Sequence, residues 1–257
     1  MSFARIWAIA SNGFREIIRD RILYLIGFFA LLLVLAVRLL PEIAAATEDK
    51  IFIDFGLGVI DLLSVIVAVF VGASLINKEI DKRTVLVLIP KPLLRAELIV
   101  GKHLGLSAVL AFLTVAMTVI YLILLSFRNI NYPLGSILIS TLYQFLQLCL
   151  LVAVAMVFGV FTSSLLATLL TFGVYLMGNL SPDLIKLGSL SNNSNLQKLI
   201  QGFYLVFPDL SRLNLKNEAV YNILPPPLTL LSNGVYGLLY TVMLLAIAVL
   251  IFSQREF

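Results

Sequence analysis

From Asn129 to Pro182 the chain carries no charged side chain. A membrane crossing takes about 20 apolar residues as a helix, so this stretch holds two crossings. Phe161-Thr162-Ser163-Ser164 is the hinge that divides them. The rest of the chain agrees, with 61% hydrophobic and 12% charged side chains, where soluble domains run near ~45–50% and ~25%. One globular core could not hide that much apolar surface, so lipid is the solvent for most of the chain.

The expected fold is a single all-α integral membrane domain with six transmembrane helices, at about 22–40, 55–76, 104–127, 137–160, 165–180 and 235–252. An N-terminal amphipathic helix over 2–20 precedes them. Phe3, Ile6, Trp7, Ala10, Phe14, Ile17 and Ile18 recur at helical spacing on one face, with Arg5, Asn12, Arg15, Glu16 and Arg19 on the other. Trp7 and Phe14 opposite Arg15 and Arg19 are the signature of a helix lying at a lipid surface. Between spans five and six, residues 182–233 form a polar interval. Within it Leu196–Phe207 is too short to cross but apolar enough for a re-entrant or interfacial helix, which Pro208 stops.

Most Lys and Arg residues fall on one side if the N-terminus is inside: Arg5, Arg15, Arg19, Arg21, Arg255 and the six between Asn77 and Lys102. The positive-inside rule then puts both termini in the cytoplasm and the 182–233 interval outside. The lone Cys149 excludes a cysteine-built metal or redox motif, and the lone His103, with no ligand set around it, reads as an interfacial residue.

Asp61, Gln144 and Gln147 stand out among the polar residues inside the spans. Asp61 in span two costs about 2.5–3.5 kcal/mol to insert. Two readings stay open: it lines a polar path or pairs with Arg38 or another helix, or it sits near the outer headgroups. Gln144 and Gln147 share one face of span four, for hydrogen bonds between helices or for contact with a substrate.

The densest charge lies between spans two and three, in a loop over 77–103. Glu79, Asp81, Lys82 and Arg83 alternate in sign before Thr84. An apolar turn follows, then Pro92, Arg95 and Gly101-Lys102. This order resembles the cytoplasmic signature of ABC-2 type transporter permeases: an acidic pair, Gly-Thr, an apolar turn, Pro-x-x-Arg, then Gly-Lys. Arg83 stands where that family usually has glycine. Phe207–Val220, FPDLSRLNLKNEAV, looks like the outer segment before the last span in the branch that includes copper-centre maturation and gliding-associated permeases. The resemblance covers nearly the whole chain.

It implies a permease subunit that is not itself an enzyme and holds no cofactor or metal. Two copies, identical or related, would meet in the membrane above a separate ATP-binding subunit carrying ATP and Mg²⁺. That subunit would dock on Glu79, Asp81, Lys82, Arg83, Thr84, Pro92, Arg95 and Lys102, and drive export. The expected setting is a bacterial plasma membrane, with an extracytoplasmic accessory protein as a further candidate partner and no nucleic acid. The chain has no G-x-x-x-x-G-K-[ST], HExxH or GxSxG, so any ATP hydrolysis belongs to another polypeptide. Two rival classes remain: an ion-coupled secondary transporter, for which Asp61 alone is thin support, and a non-transporting membrane scaffold or assembly factor.

Overall fold

The computed structural model describes residues 2–19, 23–43, 48–81, 94–190 and 207–254, with scattered positions between 195 and 204. Every regular element among them is helical: α1 (Phe3–Ile17), α2 (Leu23–Ile43), α3 (Glu48–Asp81), α4 (Arg95–Phe127), α5 (Leu134–Phe161), α6 (Ser164–Leu190), a 3₁₀ turn (Leu210–Leu213), α7 (Lys216–Tyr221) and α8 (Pro227–Gln254). By length and composition α3, α4, α5, α6 and α8 can each cross a membrane, while α2 contributes the shorter apolar stretch Tyr24–Leu39. The chain is an integral multi-pass membrane protein.

The uncharged run folds as its composition demands. α5 ends at Phe161, Thr162 turns extended at φ −122°, and α6 starts at Ser164. Other boundaries fall outside the expected ones, because helices in lipid continue past the apolar window until a cap stops them. α3 begins at Glu48 rather than 55, and α4 begins at Arg95, drawing Lys102 and His103 out of the loop and into the helix. α6 continues through Pro182 to Leu190, and α8 starts at Pro227. The polar interval shrinks accordingly. Of the helix expected over 196–207, the described positions 197, 198, 200, 202 and 204 are helical, Phe207 is a bend, and the others lie outside the described residues.

Burial separates centre from perimeter. The apolar stretches of α3 and α5 are 72% and 67% buried, those of α6 and α8 only 28% and 22%. α3 and α5 are therefore the axis of the bundle, and α6 and α8 turn side chains such as Leu169, Leu239 and Val242 outward. Small residues let the axis close. A Cβ added at Gly72 would stand 3.0 Å from that of Ala155, and one at Gly159 would stand 3.0 Å from the Ala73 carbonyl oxygen. Without a hydrophobic drive between helices in lipid, such close backbone approach supplies the attraction.

α1 packs one face on the bundle. Ala10, Gly13 and Ile17 are buried, and its first turns track α4, with Ile9 against Gly101 and Ala10 against Gly105. Phe3 and Trp7 stay exposed, as do Arg15 and Arg19, while Phe14 is half-buried.

Candidate functional site

Two polar knots hold the bundle. At the first, Asp61 on α3 is 3% exposed. Its Oδ2 accepts a hydrogen bond from Lys216 Nζ at 2.5 Å and from the Tyr175 hydroxyl at 3.1 Å. Lys216 opens α7 and Tyr175 belongs to α6. Asp61 lies about 18 Å along α3 from Asp49 and about 10 Å from the exposed Asp54, at 1.5 Å per residue. The structure gives this carboxylate a partner, Lys216, while Arg38 is exposed on α2. A buried carboxylate requires such a partner, since removing one member of a buried pair costs about 3–5 kcal/mol.

The segment that delivers Lys216 is pinned along its length. Asp209 accepts from Ser211 Oγ at 2.5 Å and from Arg212 Nε at 3.1 Å, while its backbone N–H donates to the Tyr236 hydroxyl at 2.8 Å. Arg212 also donates to the Tyr204 hydroxyl at 2.9 Å and stacks 5.0 Å over the Tyr236 ring. The Tyr204 bond, then the Asp209 carboxylate, hold the Arg212 guanidinium above its ordinary pKa. Asn214 Nδ2 donates to Asn179 Oδ1 at 3.0 Å, and Ser136 Oγ donates to Asn222 Oδ1 at 2.6 Å. Asn222, at φ 55°, ends α7 in the left-handed conformation that asparagine tolerates. Leu210 and Leu213 are fully buried, and they fit because Gly178 and Gly237 face them: a Cβ there would stand 2.7 Å and 3.0 Å away. A cleft of about 390 Å³ opens beside the pair, lined by Asp54, Gly58, Asn214 and Lys216 among others.

The second knot joins both ends of the described chain to the start of α4. Glu97 is 1% exposed. Its carboxylate accepts from the Ser2 backbone N–H at 2.6 Å and from the Leu94 N–H at 3.3 Å, and Arg5 lies 3.7 Å away. It therefore caps α4 and anchors α1 in one contact. Two residues earlier, Arg95 donates to the carbonyls of Phe252 at 3.1 Å and Ser253 at 2.5 Å. A cation there satisfies the last carbonyls of α8 and the negative end of its dipole.

Between the knots, the axis carries polar side chains turned inward. Gln144 and Gln147 are 5% and 1% exposed, so both sit in the packed interior. Their amide nitrogens, with Ser64 Oγ and Ser107 Oγ, have no hydrogen-bond partner among the described residues. His103 is packed inside the protein. It is 4% exposed, and its Nε2 lies 3.0 Å from the Cys149 carbonyl oxygen, which can only accept, so this nitrogen carries the proton.

Of the residues read as a docking loop, Arg95 and Lys102 lie in α4, and Glu79 and Asp81 end α3. Lys82, Arg83, Thr84 and Pro92 lie outside the described residues. Sequence reasoning missed Glu97 and Lys216. Glu97 carried a signal, an acid three residues after the N-cap Leu94; Lys216 carried none, being 155 residues from its partner.

The comparisons agree with this architecture. Residues 7–257 match the family described as ABC-2 family transporter protein. No curated protein matches the chain. A match over nearly its whole length, on a bundle of membrane-crossing helices, shows that the chain belongs to the ABC-2 family of transporter proteins and is the membrane component of such a transporter.

Proposed function

We propose that the chain is an export permease that pairs with a second copy or a relative, and that a separate ATP-binding subunit drives it from the cytoplasmic side. ATP and Mg²⁺ belong to that subunit. The family match over residues 7–257 carries this reading, and the absence of a phosphate-binding loop from the sequence fits it.

The knot at Arg95 and Glu97 supports a mechanism. The partner docks on the segment that runs from Glu79 and Asp81 through Lys82, Arg83, Thr84 and Pro92. Arg95, at the end of that segment, is bolted to α8, and Glu97 is bolted to α1. A push delivered there moves α1, α4 and α8 together as one packed unit, the kind of two-state rocking that interfaces support. Arg95 then has a positioning role and does not itself have to touch the partner. Asp61 acts as a latch between α3, α6 and the segment before α8. Gln144 and Gln147 add interior polarity rather than an open path.

The test is affinity purification of the tagged protein from its native membrane, with Glu79→Ala and Lys82→Glu as variants. A stoichiometric ATP-binding chain, lost in both variants while the permease yield stays unchanged, is the expected result. Recovery of the permease alone, or with partners that bind no nucleotide, sinks the reading.

A further inference from the structure

Between α5, α6 and α8 lies a cavity of about 540 Å³, closed at one end by Phe207 and Pro208. Its size is that of a ligand pocket, roughly 300–1,000 Å³. Val154, Phe158, Val174, Met177 and Leu244 make its walls, and Tyr240 is its most polar neighbour among the described residues. Water held inside a protein takes about 2–4 polar partners, which these side chains do not supply. Two of its three helices are the perimeter helices of a membrane protein, and Leu169 and Met177 on its wall are exposed toward the surrounding lipid. The fluid available to fill it is therefore hydrocarbon.

A polar cluster adjoins the closed end. The Tyr240 ring packs 5.6 Å from that of Tyr236, and Arg212 stacks over Tyr236. Arg212 follows Pro208 by one short turn. A guanidinium has five N–H donors, and among the described residues the Asp209 and Tyr204 bonds use two of them. Its side chain is 44% exposed, so further donors face outward. An apolar slot with a cation at its end matches one acyl chain and the phosphate of a phospholipid.

We propose that this cavity is a resident site for one acyl chain of an anionic membrane phospholipid, with its phosphate at Arg212. The site does not depend on the transport reading, because it lies within one copy of the chain and needs no ATP-binding partner. The lipid fills the space under the segment that carries Lys216, and so holds that segment against α6 and α8.

The test uses the full-length protein in nanodiscs of phosphatidylethanolamine and phosphatidylglycerol, doped with phosphatidylglycerol bearing a diazirine near the end of one acyl chain. Crosslinked peptides are mapped by mass spectrometry. Labelling should concentrate on α6 and α8 around Met177 and Leu244, well above that on Leu62, Ile66 and Phe70, which α3 also exposes. Gly173 lines the cavity and has nothing within 4 Å of an added Cβ. Gly173→Leu should therefore fold normally and lower labelling there about tenfold or more, the scale of added bulk in an apolar pocket, while leaving the α3 signal unchanged. Val157→Phe, from the opposite wall, should do the same if the glycine variant does not express. Arg212→Gln should lower labelling by the phosphatidylglycerol probe more than by a phosphatidylcholine one. Labelling that simply follows exposed apolar area, or that neither filling variant reduces, overturns the site. Loss of the label on adding ATP to the intact transporter overturns residence and makes the occupant cargo.

Discussion

Lys216 Nζ sits 2.5 Å from Asp61 Oδ2, joining the segment before the last span to the middle of α3. Each charge makes the other tolerable. Lys216→Met should leave Asp61 uncompensated apart from Tyr175 and destabilise the protein by about 3–5 kcal/mol. Asp61→Asn alone should cost a comparable amount, while the two changes together should recover most of the loss. Unfolding followed by tryptophan emission and by helicity, in a double-mutant cycle, reads this directly. Additive single effects would show that the pair is not the source of the stability.

Arg95→Ala should free the C-terminal turn of α8, and Glu97→Gln the N-terminal turn of α1. Hydrogen exchange provides the check: faster exchange over residues 248–254 in the first variant and over 3–10 in the second, with α5 unchanged in both. Arg95→Lys should rescue only partly, because an ammonium lacks the planar fork that spans two carbonyls.

α1 should crosslink to α4. A Cβ on residue 101 would lie 2.8 Å from that of Ile9, slightly inside the ~3.5–4.5 Å that disulfides prefer. Ile9→Cys with Gly101→Cys, in a Cys149→Ser background, should therefore form a bond under mild oxidation after a small shift. A mobility shift on a non-reducing gel after protease cleavage between the two helices reports it. Gly105→Val, driven into the Ala10 carbonyl at 2.9 Å, should abolish the crosslink when added to that pair.

Gln147→Met should be neutral or stabilising, by up to about 1–3 kcal/mol, because it removes a buried amide nitrogen that has no partner among the described residues. The melting temperature in detergent decides. A large loss of stability would show that this amide has a partner in the native membrane.

The charge-free run from Asn129 to Pro182 announced its two helices and their turn, since nothing else satisfies that much backbone in lipid. The family was legible from the order of Glu79, Asp81, Thr84, Pro92 and Arg95. Helix ends were not, because Glu48, Arg95 and Pro227 are polar or helix-breaking residues that hydropathy reads as loop. The knots were hidden for another reason. Asp61 with Lys216, and Arg95 with Ser253, are joined only by tertiary packing, which no local spacing encodes.

The 155 positions that separate Asp61 from Lys216 set a schedule as well as a contact. Ribosomes add about 5–20 residues per second, so Asp61 is synthesised roughly 8–30 s before its cation exists. During that interval α3 carries its carboxylate without this partner, at an insertion cost of about 2.5–3.5 kcal/mol. This contact of the bundle is therefore completed from the far end of the chain, and a ribosome stalled before Lys216 leaves a nascent protein whose central helix still lacks it.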